Sequence, residues 1–131
     1  MLVLQSLWGW FESLRSAAEQ ASTHGFDGLE CNVMHPCLQG VDAAEVRQLL
    51  SAHGLVLILE ITTGGDYTPD LADGPQRHLQ QLENLLGRAL ALEPLKINLI
   101  IGSDSWSETT QHGFFEGVLD RIDTVPCAVM L

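Results

Sequence analysis

Glu30 and Glu60 stand at the ends of apolar runs, Gly28-Leu29-Glu30 and Leu55-Val56-Leu57-Ile58-Leu59-Glu60, so each carboxylate is carried by a segment that reads as a strand. Paired carboxylates suit proton abstraction and return at a carbon beside a carbonyl, because different surroundings separate their pKa values and divide the work of base and acid. The same residues serve equally well as loop caps or arginine partners, so the chemistry depends on two strand ends meeting. Trp8 follows the first apolar run, and Asp104 and Trp106 lie in the polar loop Ser103-Asp104-Ser105-Trp106-Ser107-Glu108. A tryptophan so placed either stacks on a sugar face or anchors the loop by packing. Asp66 and Tyr67 carry the same ambiguity inside Thr63 to Pro75, the longest polar stretch and the candidate ligand loop.

Two other constellations are weaker. Cys31, His35 and Cys37 suggest zinc only loosely, since a structural site wants four ligands and the paired spacing is missing. Gly64-Gly65 is no phosphate loop, because neither the Walker lysine nor the dinucleotide spacing accompanies it.

The elements that must position these groups alternate along the chain. Leu2 to Leu7 reads as a strand, and Phe11, Leu14, Ala18 and Ala21 mark the sheet-facing stripe of a first helix that stops at Gly25. A second strand ends near Val33. Asp42 and Glu45 have the spacing of a capping box for a helix carrying Val46, Leu49 and Leu50, which ends at Gly54. Strand three, Leu55 to Thr62, is so apolar that both of its faces are expected to be covered. A third helix carries Leu79, Leu82, Leu86, Ala89 and Leu90, and a fourth strand runs from Leu95 to Gly102. Ser105 and Glu108 suggest the cap of a fourth helix with Phe115, Leu119 and Ile122 on its apolar face, and Cys127 to Leu131 reads as a fifth strand. The order βαβαβαβαβ gives a parallel sheet with right-handed crossovers. Periodicity leaves two architectures, an open doubly wound sheet or part of a closed (β/α)8 barrel, which needs about 250 residues.

Bulk properties narrow the partners. With 131 residues the chain is one domain. Six basic against 17 acidic residues give a formal charge of -11, which repels nucleic acid and anionic membranes. Lys96 is the only lysine and the five arginines are scattered, so no cationic cradle is visible. Three cysteines at no scaffold spacing point to a reducing, cytoplasmic setting. The start has no basic residue before Arg15 and does not read as a signal peptide. No apolar run is long enough to span a membrane.

Gly25-Phe26-Asp27-Gly28-Leu29-Glu30, the His53-Gly54-Leu55 entry to strand three, and Ile97-Asn98 followed by Gly102-Ser103-Asp104-Ser105-Trp106 together resemble the xylose isomerase-like barrel family of sugar and sugar-phosphate isomerases and epimerases. The resemblance covers almost the whole chain and maps it onto the N-terminal half of such a barrel. It implies a partial (β/α)8 TIM barrel of about five parallel strands and four intervening helices over residues 1–131. It also implies a carbohydrate-like ligand near Trp8, Glu30, Asp104 and Trp106, with Glu30 and Glu60 the candidates for proton transfer.

Members of that family hold a divalent metal (Mn, Mg, Zn or Co) with carboxylates and a histidine at the ends of strands five to eight. Nearly all of that lies beyond Leu131. Met130 stands where the resemblance implies a glutamate ligand, and Ile100-Ile101 where it implies His-Ser. A thioether is a poor ligand for a hard divalent ion. The expectation is therefore an isomerase or epimerase lineage whose isolated chain binds no metal and is inactive alone. The alternative is a non-catalytic remnant or interaction module. An endonuclease on the same fold would need basic surface and histidine ligands. A half-barrel also leaves two strand edges unpaired, and inward leucines, isoleucines and valines without partners, so self-association or a completing chain is expected.

Overall fold

A computed structural model describes residues 1–64 and 73–131. Asp66, Tyr67 and most of the candidate ligand loop lie outside the described residues. The strands are β1 (Leu4–Ser6), β2 (Gly28–Asn32), β3 (Val56–Thr62), β4 (Lys96–Ile100) and β5 (Ala128–Met130). Between them run α1 (Leu14–Thr23), α2 (Ala43–Ala52), α3 (Pro75–Leu90) and α4 (Glu108–Ile122), with a 3-10 turn at Pro36–Leu38 before α2. Among the described residues the strands form one sheet in the order β1-β2-β3-β4-β5, every pair parallel.

The joints between helix and strand explain the register. His24 and His53 end α1 and α2, and Gly25 (φ 75°) and Gly54 (φ 66°) then take the left-handed conformation that turns the chain into the next strand. The joint after α3 has no glycine there, and Glu93 takes the left-handed φ of 51° instead. Gly28 is required for a different reason. A Cβ at this position would collide with the Val56 carbonyl oxygen and lie 2.9 Å from Leu4 Cδ2, so the missing side chain lets β1, β2 and β3 close up.

Strand alternation then sorts the side chains. Leu29, Cys31, Leu57, Leu59, Ile61, Ile97 and Leu99 are buried in one core with Ala17, Ala18, Val46, Leu50, Leu79, Leu82, Leu86, Phe114 and Val118 of the helices. The opposite face carries Glu30, Asn32, Ile58, Glu60, Thr62, Lys96 and Asn98, all half-buried. Strand three is thus covered by helices on one face rather than both, and the open face combines apolar Leu4, Val56, Ile58 and Ile100 with the polar residues toward the carboxyl ends of the strands. Leu57, Leu59 and Ile61 of β3 face the helices, and the alternate positions are Val56 and Ile58 followed, at its carboxyl end, by Glu60 and Thr62.

Three helix details also differ from the sequence expectation. Phe11 is 96% exposed and precedes α1, whose cap is Ser13, its hydroxyl accepting from Ser16 N–H at 3.2 Å. The cap of α4 is Ser107, accepting from Thr110 N–H at 3.3 Å, and not Ser105. On α4 the buried residues are Phe114 and Val118, while Phe115 and Leu119 are exposed. Asp42 caps α2 as its spacing suggests, accepting from Ala44 N–H at 2.9 Å.

Candidate functional site

The open face of the sheet gathers its polar residues toward the carboxyl ends of the strands, where the connecting loops also emerge. In the ladder Glu30 lies opposite Ile58 and, one strand further, Lys96, whereas Glu60 lies between Asn32 and Asn98. The two carboxylates are therefore diagonal neighbours on adjacent strands. Asn98 Nδ2 reaches over β3 to donate to Glu30 Oε1 at 3.3 Å, and Asn32 Nδ2 donates to Thr62 Oγ1 at 3.1 Å. Lys96 Nζ sits 3.4 Å from Met130 Sδ.

The electrostatics follow from this crowding. Partial burial pushes the Glu60 carboxyl above its ordinary value of 4.5, and the neighbouring charge of Glu30 pushes it the same way. Asn98 Oδ1, on the strand register of Glu60, is buried with no hydrogen-bond partner among the described residues. A proton held on Glu60, or a hydroxyl brought by a ligand, would supply the donor it lacks.

Raising a folded-state pKa means that the group stabilises the fold most below its unfolded value and loses that contribution as pH rises through the folded value. Glu60→Gln removes the charge and supplies an amide N–H toward Asn98. The variant should therefore be more stable than the parent at pH 7, by at most about 1 kcal/mol because solvent screens this half-buried group from the charge of Glu30. The gain should shrink to nothing below pH 4.5. Urea unfolding at the two pH values measures it, and an equal or lower stability at pH 7 would mean that Glu60 is held by a partner that prefers its charge.

The sequence-predicted loop residues occupy different settings. Trp8 is 71% exposed at the carboxyl end of β1, with its backbone N–H donating to Ser6 Oγ at 3.4 Å. Asp104 is exposed on the loop after β4. Trp106 is half-buried, its ring edge-on to His78 (centroids 4.8 Å apart) and Phe114 (5.0 Å). His78 accounts for that packing. It is fully buried on α3, its Nδ1 lies 2.7 Å from the Thr63 hydroxyl, and burial pushes its pKa down, against an upward pull from Asp73.

Sequence reasoning missed His78, Asn32, Asn98 and Thr62 as members of this region. A signal existed for each: His78 falls four residues before Leu82 on the apolar stripe of α3, and the other three lie at even strand positions beside Glu30 and Glu60. Cys31, His35 and Cys37 lie apart, on the helix-covered side.

No family model and no curated protein matches the chain. Solved structures do. A D-psicose 3-epimerase determined in the presence of D-fructose superposes with a TM-score of 0.69 at 16% identity, over 98% of this chain and 51% of that one. A D-allulose 3-epimerase from Methylomonas sp. in complex with D-allulose gives 0.62 at 15% identity, over 94% and 46%. The same enzyme with additional C-terminal residues gives 0.63 at 14%, over 98% and 50%. The chain has the fold of about half a (β/α)8 TIM barrel. It spans about half the length of the solved structures it matches.

A half-barrel of this kind brings Glu30, Glu60 and Asn98 to the face where barrels of this architecture keep their chemistry. The donor set among the described residues does not fit a divalent metal by itself. Among the described residues no group of three or more histidine, cysteine, aspartate or glutamate side chains converges, and the sulfur of Met130 is soft where Mg²⁺ or Mn²⁺ wants oxygen.

Proposed function

We propose that residues 1–131 are the N-terminal half-barrel of an isomerase or epimerase architecture, and that its open face takes a carbohydrate-like ligand of the ketohexose class. The observation that carries this reading is the Glu30–Asn98 pair beside Glu60, set on the one sheet face that helices leave uncovered. In this reading Glu30 and Glu60 meet the ligand's hydroxyl and carbonyl-bearing carbons, the unpartnered Asn98 Oδ1 accepts a hydroxyl, and Trp8, Asp104 and Trp106 line the loop side. The solved neighbours, one with D-fructose present and one in complex with D-allulose, supply the ligand class.

A non-catalytic interaction module is the second reading, favoured by where the exposed apolar residues lie. Met1, Leu2 and Val3 precede edge strand β1, Met130 ends edge strand β5 with Leu131 after it, and Phe115 and Leu119 lie on α4. Those are the places the three remaining strands and their helices would cover in closing an eight-stranded barrel, so the two readings share a completing chain or self-association.

The test is an NMR titration of the labelled protein with D-fructose and D-allulose. Ligand shifts should appear at Glu30, Asn32, Glu60 and Asn98, with a dissociation constant near millimolar, or about -4 kcal/mol. The Glu30→Gln/Glu60→Gln variant should lose them. Unchanged spectra, with the protein self-associating, would leave the interaction module as the better account.

A further inference from the structure

The open face carries one charge that the carboxylate pair does not use. Lys96 is the only lysine of the chain and lies half-buried on the open side of β4, in the ladder row of Glu30 and Ile58. Its side chain leans toward the carboxyl ends of the strands, because Nζ reaches Met130 Sδ at 3.4 Å and Met130 is in register with Asn98, two residues beyond Lys96. Glu30 leans the same way, its Oε1 accepting from Asn98 Nδ2 at 3.3 Å. Carboxylate and ammonium thus rise from one row of the ladder and end on opposite sides of Asn98 in the next, and Asn98 Oδ1 is buried there without a partner.

An ammonium has three N–H donors, and a thioether is a weak acceptor for one of them. Arg47, Arg77 and Arg121 each have a carboxylate beside them, that of Glu93, Asp73 and Glu83. Lys96 has none among the described residues, although Glu30 and Glu60 share its face. Its donors are therefore uncommitted at the place where the carboxylates and the orphaned amide oxygen meet.

We propose that Lys96 holds the carbonyl oxygen of a bound ketose, supplying a fixed positive charge on a face where the described donors bring no group of ligands together for a divalent ion. This rests on the open face being a ketohexose site. In the step that such a site implies, a carboxylate of the Glu30 and Glu60 pair takes the proton from the carbon beside the carbonyl. The C–H electron pair becomes the double bond of an enediolate, the C=O pair moves onto oxygen, and return of the proton from the carboxyl group reverses both movements. Charge gathers on that oxygen only during the step, so an ammonium aimed at it stabilises the enediolate more than the ketose. Lys96 is then a contact that discriminates between the two.

A single lysine makes the test specific, since protein grown on lysine carrying ¹³C at Cε shows one lysine signal. With EDTA present, D-fructose should move that signal at the same millimolar midpoint as the amides of Glu30 and Asn98. Glycolohydroxamate, an anionic mimic of the enediolate, should move it at roughly tenfold lower concentration. Lys96→Met keeps the apolar stem without the charge and should lose most of that tenfold preference, whereas Lys96→Arg should retain it. The lysine signal of the unmutated protein decides the matter even if a variant folds poorly. A lysine signal that stays fixed while Glu30 and Asn98 respond, or a Lys96→Met variant with the full preference for the mimic, would overturn the proposal and leave the ketose site standing. Amides that do not respond to either compound would overturn both.

Discussion

Phe114→Ala should cost about 3–5 kcal/mol, most of the margin of a parent at the lower end of the ordinary range of about 5–15 kcal/mol. Phe114 is 2% exposed and is the largest of the fully buried side chains. Its ring meets Trp106, His78 and Phe115 edge-on, and a Cβ on Gly102 would sit 3.1 Å from its Cε1. Removing it empties the space between α3, α4 and the loop after β4, and none of these neighbours can collapse into the gap without moving backbone. Phe114→Leu retains most of the volume and should cost less than about 1.5 kcal/mol. Urea denaturation followed by tryptophan fluorescence gives both numbers. A loss below 1 kcal/mol for the alanine variant would show that the aromatic cluster is not what fastens α4 to the sheet.

Gly28→Ala is expected to cost about 2–3 kcal/mol through overpacking. The added methyl collides with the Val56 carbonyl oxygen, which is main chain and cannot rotate away, so the β2–β3 ladder has to open. Gly25→Ala provides the contrast, since a Cβ there meets nothing within 4 Å and the cost is the left-handed φ of 75° alone, about 1–2 kcal/mol. Amide exchange separates the two. Gly28→Ala should raise exchange along β2 and β3, whereas Gly25→Ala should affect the α1–β2 joint. Equal exchange patterns would mean that Gly28, too, is there for its backbone freedom.

Much of this fold is readable in the sequence because its joints are local. Gly25 and Gly54 announce helix ends, and the strands between them follow from composition. The rotation of α4 is not local. Phe114-Val118 and Phe115-Leu119 are both apolar pairs at helical spacing, and the choice between them is made by the tight approach of α4 to α3, where a Cβ on Gly117 would lie 2.8 Å from Leu79 Cδ1. For the same reason Phe11 reads as helical though it precedes the cap at Ser13. The polar face was half legible. Glu30 and Glu60 are visible as carboxylates ending apolar runs, but Asn98, which bonds Glu30 and lies beside Glu60 in the ladder, becomes significant only when β4 is laid beside β3.

The strand-entry joints give the sheet a parity. At Gly54 the chain leaves α2 and is pinned at once, Leu55 N–H to Leu50 O at 2.9 Å and Val56 N–H to Asp27 O at 3.0 Å. One residue inserted there would turn β3 over, burying Glu60 and Thr62 under the helices and exposing Leu59 and Ile61. Two inserted residues would keep every side chain on its own face and merely advance Glu60 by about 6–7 Å along the strand. Length changes in the loops that enter strands are thus constrained to even numbers, a rule that the loops leaving the carboxyl ends escape. Variation in this chain should accumulate on the side where a ligand would arrive.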